Sequence, residues 1–348
     1  MSIGKVEPLH QPELQLADEF RGRRVKTLLI FLGSILIFLI APMVGIKTIS
    51  YADALGSGSE ANIFWEMRIP RVLGSFIVGG ALAAGGLVFQ TMFRNPLATP
   101  FTLGVSGGAS LGAVIFFHLG IPFSILGISG SSLFAFAGAI GAIMIVYSIS
   151  TIRPGFSSTS MLLAGVAISF FFASLILFIQ YMSDFTASYR IIRWLMGALE
   201  SVDYGKLSGM APLVLIGWGV VFANTRELNL ISLGDDLAIS RGVDVRRVRK
   251  ILFFATSLMI GGVVSVCGPI GFVGLMAPHI IRLIAGPDIR YTAPASIMFG
   301  GAFLTVCDAI ARSIIAPAEI PVGVITAMLG GPFFIWLLSS RNAREFSV

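Results

Sequence analysis

Charged residues are scarce in this 348-residue sequence. Asp, Glu, Lys and Arg together make up 12% of it, whereas a soluble domain contains about 25%. So few polar groups cannot cover a water-soluble globule of this length, and 55% of the residues are hydrophobic. The composition therefore predicts an integral membrane protein.

Cysteine and histidine are rare as well. Cys267 and Cys307 both lie in apolar runs, where a small buried hydrophobic residue is the expected role. The three histidines are far apart in the sequence, so no two have the spacing of zinc ligands. The sequence predicts no metal site in this chain.

Catalytic motifs are also missing. The single Gly-Lys pair, Gly205-Lys206, is followed by Leu207, and Glu200 stands where a phosphate-binding loop has its first glycine. No span contains paired carboxylates. We expect a non-catalytic subunit that binds no cofactor of its own.

Long apolar runs, in contrast, are numerous. A membrane-crossing helix needs about 20 mostly apolar residues. We place spans at 26–46, 71–93, 101–119, 129–151, 159–182, 208–224, 250–268, 270–285, 292–316 and 321–340. Hydropathy alone allows eight to ten, because two of these runs are short and rich in glycine or proline. The expected fold is all-α: a polytopic membrane protein of about ten transmembrane helices, with an N-terminal tail at 1–25 and one transmembrane domain at 26–348.

The basic residues predict the orientation. With ten spans, both termini lie on one side, and that side holds 17 of the 24 Lys and Arg residues. Positive charge is retained on the cytoplasmic side of membrane proteins. Both termini and the charged stretch 234–250 are therefore expected in the cytoplasm. The net charge of +6 is explained in this way without a nucleic-acid partner.

Glycine is abundant, with 40 residues. Six Gly-Gly pairs occur, at 79–80, 85–86, 107–108, 261–262, 300–301 and 330–331. Small residues let helices pack closely in lipid, and this accounts for most of the glycines. Some of them could instead let helices slide or unwind during transport.

One acidic residue, Asp308, lies inside a predicted span. Such residues are costly and usually functional, so it could be the proton or cation site of a gradient-driven transporter. Alternatively, it is a structural group, bonded to helix termini or paired with Arg312 one turn away. The lack of a second acid at the same depth favours the structural interpretation.

The charged stretch GDDLAISRGVDVRRVRK (234–250) is compatible with a helix. Gly234, Ala238 and Gly242 are four residues apart, so they share one helix face that permits close approach to another surface. Asp235, Asp236, Arg241 and Asp244 occupy the other faces, and the basic cluster 246–250 anchors the next span.

Three stretches together resemble a known family. They are 68–113 (beginning RIPRVLGSFIVGG), 234–250, and GPIGFVGLMAPHIIRLIAGPDIR (268–290) with the later AEIPVGVITAMLGGPFFIWLL (318–338). This combination resembles the permease subunit of FecCD-type ABC importers for iron-siderophores, haem or cobalamin. The resemblance extends from about residue 65 to the C-terminus. It implies a cobalamin-permease-like fold and a pore between two permease subunits, which are identical or paralogous.

The resemblance also implies the partners. Two ATPase subunits, which bind ATP and Mg, would lie below the pore, and a periplasmic or lipid-anchored substrate-binding protein above it. A short cytoplasmic helix of the permease docks into a groove on the ATPase. The residues that match this coupling segment are Gly234, Asp235, Asp236, Ala238, Arg241, Gly242 and Val243. Arg241 departs from the family, which usually has leucine there, so this contact is expected to be polar.

Two further sites are implied. Arg68, Arg71 and Arg312 match arginines that meet acidic residues of the binding protein, although snorkelling at span ends is an alternative. Asn95, Leu97, Ser158 and Thr159 match residues that constrict the cytoplasmic mouth of the pore, although turn and cap chemistry is an alternative.

We interpret His279, Arg282 and Asp288 as a cytoplasmic structural cluster near the ATPase contact. The expected function is ATP-driven import of a metal chelate, foremost an iron-siderophore, across a bacterial inner membrane. Haem or cobalamin is the alternative cargo. A secondary transporter that couples through Asp308 is the rival from another class.

Overall fold

The chain is described by a computed structural model that covers residues 11–45, 48–56, 58–125, 127–151, 158–200 and 202–339. These residues form α1 (Gln11–Ile40), α2 (Tyr51–Ala54), α3 (Ser59–Asn62), α4 (Ile69–Phe93), α5 (Val105–Leu119), α6 (Gly130–Thr151), α7 (Ser158–Met182), α8 (Phe185–Leu195), α9 (Tyr204–Ala223), α10 (Thr225–Leu233), α11 (Asp235–Ser240), α12 (Val245–Cys267), α13 (Val273–Ala285), α14 (Ile289–Ala311) and α15 (Val322–Ser339). A 3₁₀ turn (Ala41–Met43), a π-helical turn (Ile63–Arg68) and an antiparallel hairpin of β1 (Ser124–Ile125) and β2 (Ile128–Ser129) join them.

The all-α, polytopic prediction is confirmed. Each of the ten predicted spans coincides with a helix, but only seven of these helices are long and apolar enough to cross a membrane on their own. The other three, α5, α13 and α15, are shorter. With 13 residues at ~1.5 Å each, α13 is about 20 Å long, so it falls short of the ~30 Å hydrocarbon core.

Aspartates fix the starts of several helices. Asp184, Asp203 and Asp244 accept hydrogen bonds from backbone N–H groups in the first turns of α8, α9 and α12, and Asp288 does the same for α14. Asp at this position satisfies a donor that the helix leaves unpaired. These aspartate caps fix the residue at which each of the four helices begins.

Helix α4 is the centre of the bundle and packs against α9, α12, α13 and α14. Glycines allow this approach: a Cβ atom on Gly86 would lie 1.7 Å from the carbonyl oxygen of Gly274, and one on Gly79 would lie 2.2 Å from that of Gly300. Backbone contacts this close exclude any side chain. At these positions, the packing interpretation of the glycines is correct.

The bundle has two ends. Helices α10 and α11 lie at one end, together with the turn that follows α4. We call this the basic end, because the basic cluster 246–250 lies there. The opposite end carries α8, the hairpin, the start of α4 and the end of α14. The candidate sites divide between these two ends.

Candidate functional site

The segment at the basic end has a rigid base. Gly234 separates α10 from α11 with φ +135°, a conformation that favours glycine. Arg249 then donates two hydrogen bonds of 2.8 Å to the two carboxylate oxygens of Asp235. The Arg249 side chain is buried and also reaches the carbonyl of Met92 at 3.3 Å. This bidentate pair therefore ties α11 to both α12 and the end of α4.

The exposed face of this segment is not the one that the sequence predicted. Ala238 is 0% exposed and belongs to the chain's own core, so the small-residue stripe is turned partly inward. Three aliphatic side chains of the segment project: Leu233 is 68% exposed, Leu237 41% and Ile239 59%. The helix period identified which residues share a face but not which face is buried.

The remaining coupling residues divide in the same way. Asp236, Arg241 and Gly242 are exposed beside these aliphatic side chains, whereas Val243 is partly buried against the core. Asp235 points toward Arg249 and lies 3.7 Å from Arg94. A contact between Arg241 and a partner subunit stays a prediction.

At the opposite end, Arg71 and Asp308 form a buried ion pair. Arg71 donates from Nε and Nη2 to the Asp308 carboxylate at 2.9–3.0 Å, and from Nη1 to Glu319 at 2.8 Å. Asp308 is only 1% exposed. The structural interpretation of Asp308 is therefore supported, with Arg71 as its main partner. Arg312, the partner that the sequence suggested, is 3.9 Å away.

The other two arginines also have partners inside the chain. Arg312 is buried and donates to the carbonyl of Ala41 at 2.7 Å. Arg68 donates to the carbonyls of Pro42 and Met43 at 3.0 and 3.2 Å. Arg68 and Arg71 keep part of their surface exposed. Docking of a partner by these arginines stays a prediction. Within the chain, they hold the 3₁₀ turn and α14 against α4.

The four predicted gate residues lie at the basic end. The side-chain oxygen of Asn95 accepts from the backbone N–H of Leu97 at 2.9 Å, which forms a tight turn after α4. Leu97 is exposed, as is Thr159 in the first turn of α7. The side chain of Ser158 lies outside the part of the structure that is described.

The residues of the predicted cytoplasmic cluster have separate partners. Arg282 donates to Gln90, the ring of His279 lies edge-on to Phe333, and Asp288 accepts from Asn229 at 2.8 Å. Burial alone would raise the pKa of Asp288. Hydrogen bonds from Asn229 and the Arg290 backbone, with the charge of Arg290, instead lower the pKa of that carboxyl below its usual value.

Two contacts between distant parts of the chain were not predicted from the sequence. Gln90 is buried within α4, donates to the carbonyl of Gly274 at 3.1 Å and accepts from Arg282, so it joins α4 to α13. A glutamine in an apolar run was the available signal. Glu319 bonds to Arg71 across 248 residues, and no local pattern marks such a contact.

Side chains of the kinds that bind metals are scattered over the part of the chain that the structure describes. Over the described ranges, no three His, Cys, Asp or Glu side chains lie close enough together to hold a metal ion. Cys267 and Cys307 are both buried, at positions where they pack as small hydrophobic residues.

The fold defines a class, a polytopic α-helical membrane protein, and exposed aliphatic side chains lie at its basic end. Residues 28–340 match the FecCD transport family. The chain belongs to this family, and it is the permease subunit of an ABC importer of the FecCD type. The match begins earlier than the resemblance drawn from the motifs.

Individual relatives agree. The chain is 38% identical to the cobalamin import system permease protein BtuC of Halobacterium salinarum, over 85% of this chain and 79% of that one. It is 36% identical to the hemin transport system permease protein HmuU of Yersinia pestis, over 82% and 85%. A solved inward-facing structure of a metal-chelate type ABC transporter superposes with a TM-score of 0.79 at 28% identity, over 89% of this chain and 98% of that one. Permeases of this family work with ATPase and substrate-binding partners.

Proposed function

We propose that this chain lines the pore of an importer for a bulky metal chelate and that ATP hydrolysis on partner subunits drives it. The observation that carries the proposal is the exposure of three aliphatic side chains, Leu233, Leu237 and Ile239, at the basic end. Apolar surface that a short segment leaves exposed at the end of the bundle can be covered by a partner protein. ATP and Mg would be bound by the partner that covers these side chains, and the chain itself would bind no cofactor.

The rigid base of the segment supports mechanical coupling. Because the Asp235–Arg249 pair fixes α11 to α12 and to the end of α4, a push on α11 moves these spans as a body. The predicted gate residues Asn95 and Leu97 lie directly after α4. Motion of the ATPase partner would thus reach the mouth of the pore through α4.

The relatives support a metal chelate as the class of cargo. The names of two relatives specify cobalamin and hemin, and both molecules are large organic ligands that hold a metal ion. We propose an iron-siderophore as the cargo, with haem and cobalamin as the alternatives. A second permease subunit, identical or paralogous, would complete the pore.

The opposite end is the proposed docking surface for a periplasmic or lipid-anchored substrate-binding protein. Arginine forms strong bidentate pairs with carboxylates. We assign direct contacts with acidic residues to Arg68 and Arg71, which keep exposed surface, and a supporting role to the buried Arg312. The excess of Lys and Arg at the basic end supports placement in a bacterial inner membrane with both termini in the cytoplasm.

Reconstitution tests this function. The chain, its second permease subunit and the ATPase encoded with it are placed in proteoliposomes, and uptake of a ferric siderophore, haemin and cobalamin is measured with ATP. We expect uptake of one chelate that stops when ATP is replaced by a non-hydrolysable analogue. Uptake driven by a proton or sodium gradient without the ATPase would contradict the proposal.

A further inference from the structure

A cleft lies at the opposite end of the bundle, between α6 and α9. Both helices pack against α12, but over the described residues they scarcely touch each other. The space between them has a volume of about 150 Å³. A cavity of about this size is large enough to hold a small apolar molecule such as benzene, so the cleft can accept part of a hydrocarbon chain.

The lining of the cleft is amphipathic. Its inner part is formed by Leu133, Phe136, Met210 and Leu213, which lie one to three turns into α6 and α9, and by Val266 in the last turn of α12. Its outer part is formed by the polar first turns of α6 and α9 and by the hairpin, with Ser129, Ser132 and Lys206. Apart from Ile128 on the hairpin and Ser265 on α12, the apolar groups of the lining thus lie deeper in the bundle than the polar ones, in the same order as the chains and headgroup of a lipid.

The positive charge of Lys206 favours a lipid with an anionic headgroup. Lys206 is the cationic side chain in the lining, and it lies at the end of the bundle that has few basic residues. Its backbone N–H is already held by Asp203 at 2.8 Å, so the start of α9 is fixed and the side chain is placed at the mouth of the cleft. A lysine near a membrane surface attracts anionic headgroups.

We propose that this cleft binds an anionic phospholipid, with an acyl chain between α6 and α9 and the phosphate near Lys206. Gly209 lines the cleft, and a Cβ atom added to it would meet nothing within 4 Å, so the space beside it is open. The site is remote from the α10–α11 segment, and it does not depend on the cargo. The bound lipid fills the gap that α6 and α9 leave and so stabilises this end of the bundle.

The experiment uses the full-length protein in nanodiscs made of equal parts phosphatidylcholine and phosphatidylglycerol. Native mass spectrometry counts the lipids that stay bound to the protein after it is released from the nanodisc. Two variants test the site, Lys206→Gln for the charge and Gly209→Leu for the cavity. Matched controls are Arg190→Gln, an exposed basic residue at the same end, and Gly219→Leu on α9, where an added Cβ also meets nothing within 4 Å.

We expect the parent to retain phosphatidylglycerol in preference to phosphatidylcholine. Lys206→Gln should reduce this preference about five-fold, the effect of roughly one surface charge, and Gly209→Leu should remove the retained lipid. Both controls should behave as the parent does. A thermal melt of each variant confirms that it is folded.

Three results would overturn the proposal. They are equal retention of the two lipids by the parent, unchanged retention in both site variants, and loss of a second protein subunit in place of lipid from Gly209→Leu. The last result would assign the cleft to a subunit interface.

Discussion

Arg71 and Asp308 lie 237 residues apart in the sequence and form a bidentate ion pair at the end of the bundle opposite α11. The pair joins the start of α4 to the end of α14, and Arg71 extends it to Glu319. Asp308 is buried and accepts three hydrogen bonds from Arg71, so it is a fixed part of the contact between α4 and α14. The geometry supports a structural role for this carboxylate, in agreement with a permease driven by a partner ATPase.

Removal of this pair should destabilise the protein. Asp308→Asn leaves the partly buried Arg71 without its main counter-ion, and breaking a buried pair costs about 3–5 kcal/mol. The thermal midpoint of the purified protein measures the effect. Glu200→Gln, which breaks the exposed pair with Arg193, should change the free energy of unfolding by at most ~1 kcal/mol.

Transport by Asp308→Asn separates the two roles. If uptake is scaled to the amount of folded protein, it should stay within about two-fold of the parent, since a coupling site would lose nearly all activity. Complete loss of uptake in a folded, correctly assembled variant would contradict a purely structural role and support Asp308 as a coupling site.

The glycine contacts give a sharper stability test. Gly86→Ala places a methyl group 1.7 Å from the Gly274 carbonyl oxygen, so α4 and α13 must separate and the Gln90 contact to α13 is lost. We expect little folded protein on size-exclusion chromatography. Gly141→Ala is the control, because its Cβ meets nothing within 4 Å, and alanine in a helix is favoured over glycine by about 1 kcal/mol. Equal yields of the two variants would mean that the helices are not in backbone contact at Gly86.

The sequence predicted the spans well but their pairing poorly, and the reason is physical. A membrane-crossing helix needs a long apolar run, and hydropathy detects such runs directly from the sequence. Every predicted span therefore coincides with a helix. Partners of charged groups are set by packing between distant helices. The one-turn rule suggested Arg312 for Asp308, whereas Arg71 arrives from another helix. In the same way, periodicity grouped Gly234, Ala238 and Gly242 without revealing that Ala238 packs inward.

The exposed aliphatic side chains Leu233, Leu237 and Ile239 at the basic end should control assembly with the ATPase. Ile239→Asp puts a charge on an exposed side chain, so the fold should survive while co-purification of the co-expressed ATPase falls at least ten-fold, since burying an unpaired charge at an interface costs several kcal/mol. Ile121→Asp, at an exposed position of the opposite end, is the control. Retention of the ATPase by the Ile239 variant would assign the contact to another surface.

Acid should weaken the contact between α10 and α14. The lowered pKa of Asp288 means that its stabilisation is complete above the unfolded pKa, near 3.9, and is lost as the pH falls through the lower folded value. Asp288→Asn should therefore melt below the parent at pH 7, and the difference should shrink as the pH approaches 3. Thermal melts across this range measure it, and a constant difference would contradict the pKa direction.

Docking of the substrate-binding protein should depend on Arg68 more than on Arg312. Arg68 keeps exposed surface and bonds to backbone carbonyls, so Arg68→Glu reverses a charge at a partly exposed position. Affinity for the binding protein encoded with this permease should fall, and the loss should be greater at 50 mM salt than at 500 mM, because the Debye length shortens from about 14 Å to about 4 Å. Arg312→Gln removes a buried charge that holds the Ala41 carbonyl, so its effect should appear in the thermal midpoint and be nearly independent of salt. Surface plasmon resonance on nanodisc-embedded protein compares the two, and a salt-independent loss for Arg68→Glu would mean that this arginine acts by holding the 3₁₀ turn in place and does not contact the partner.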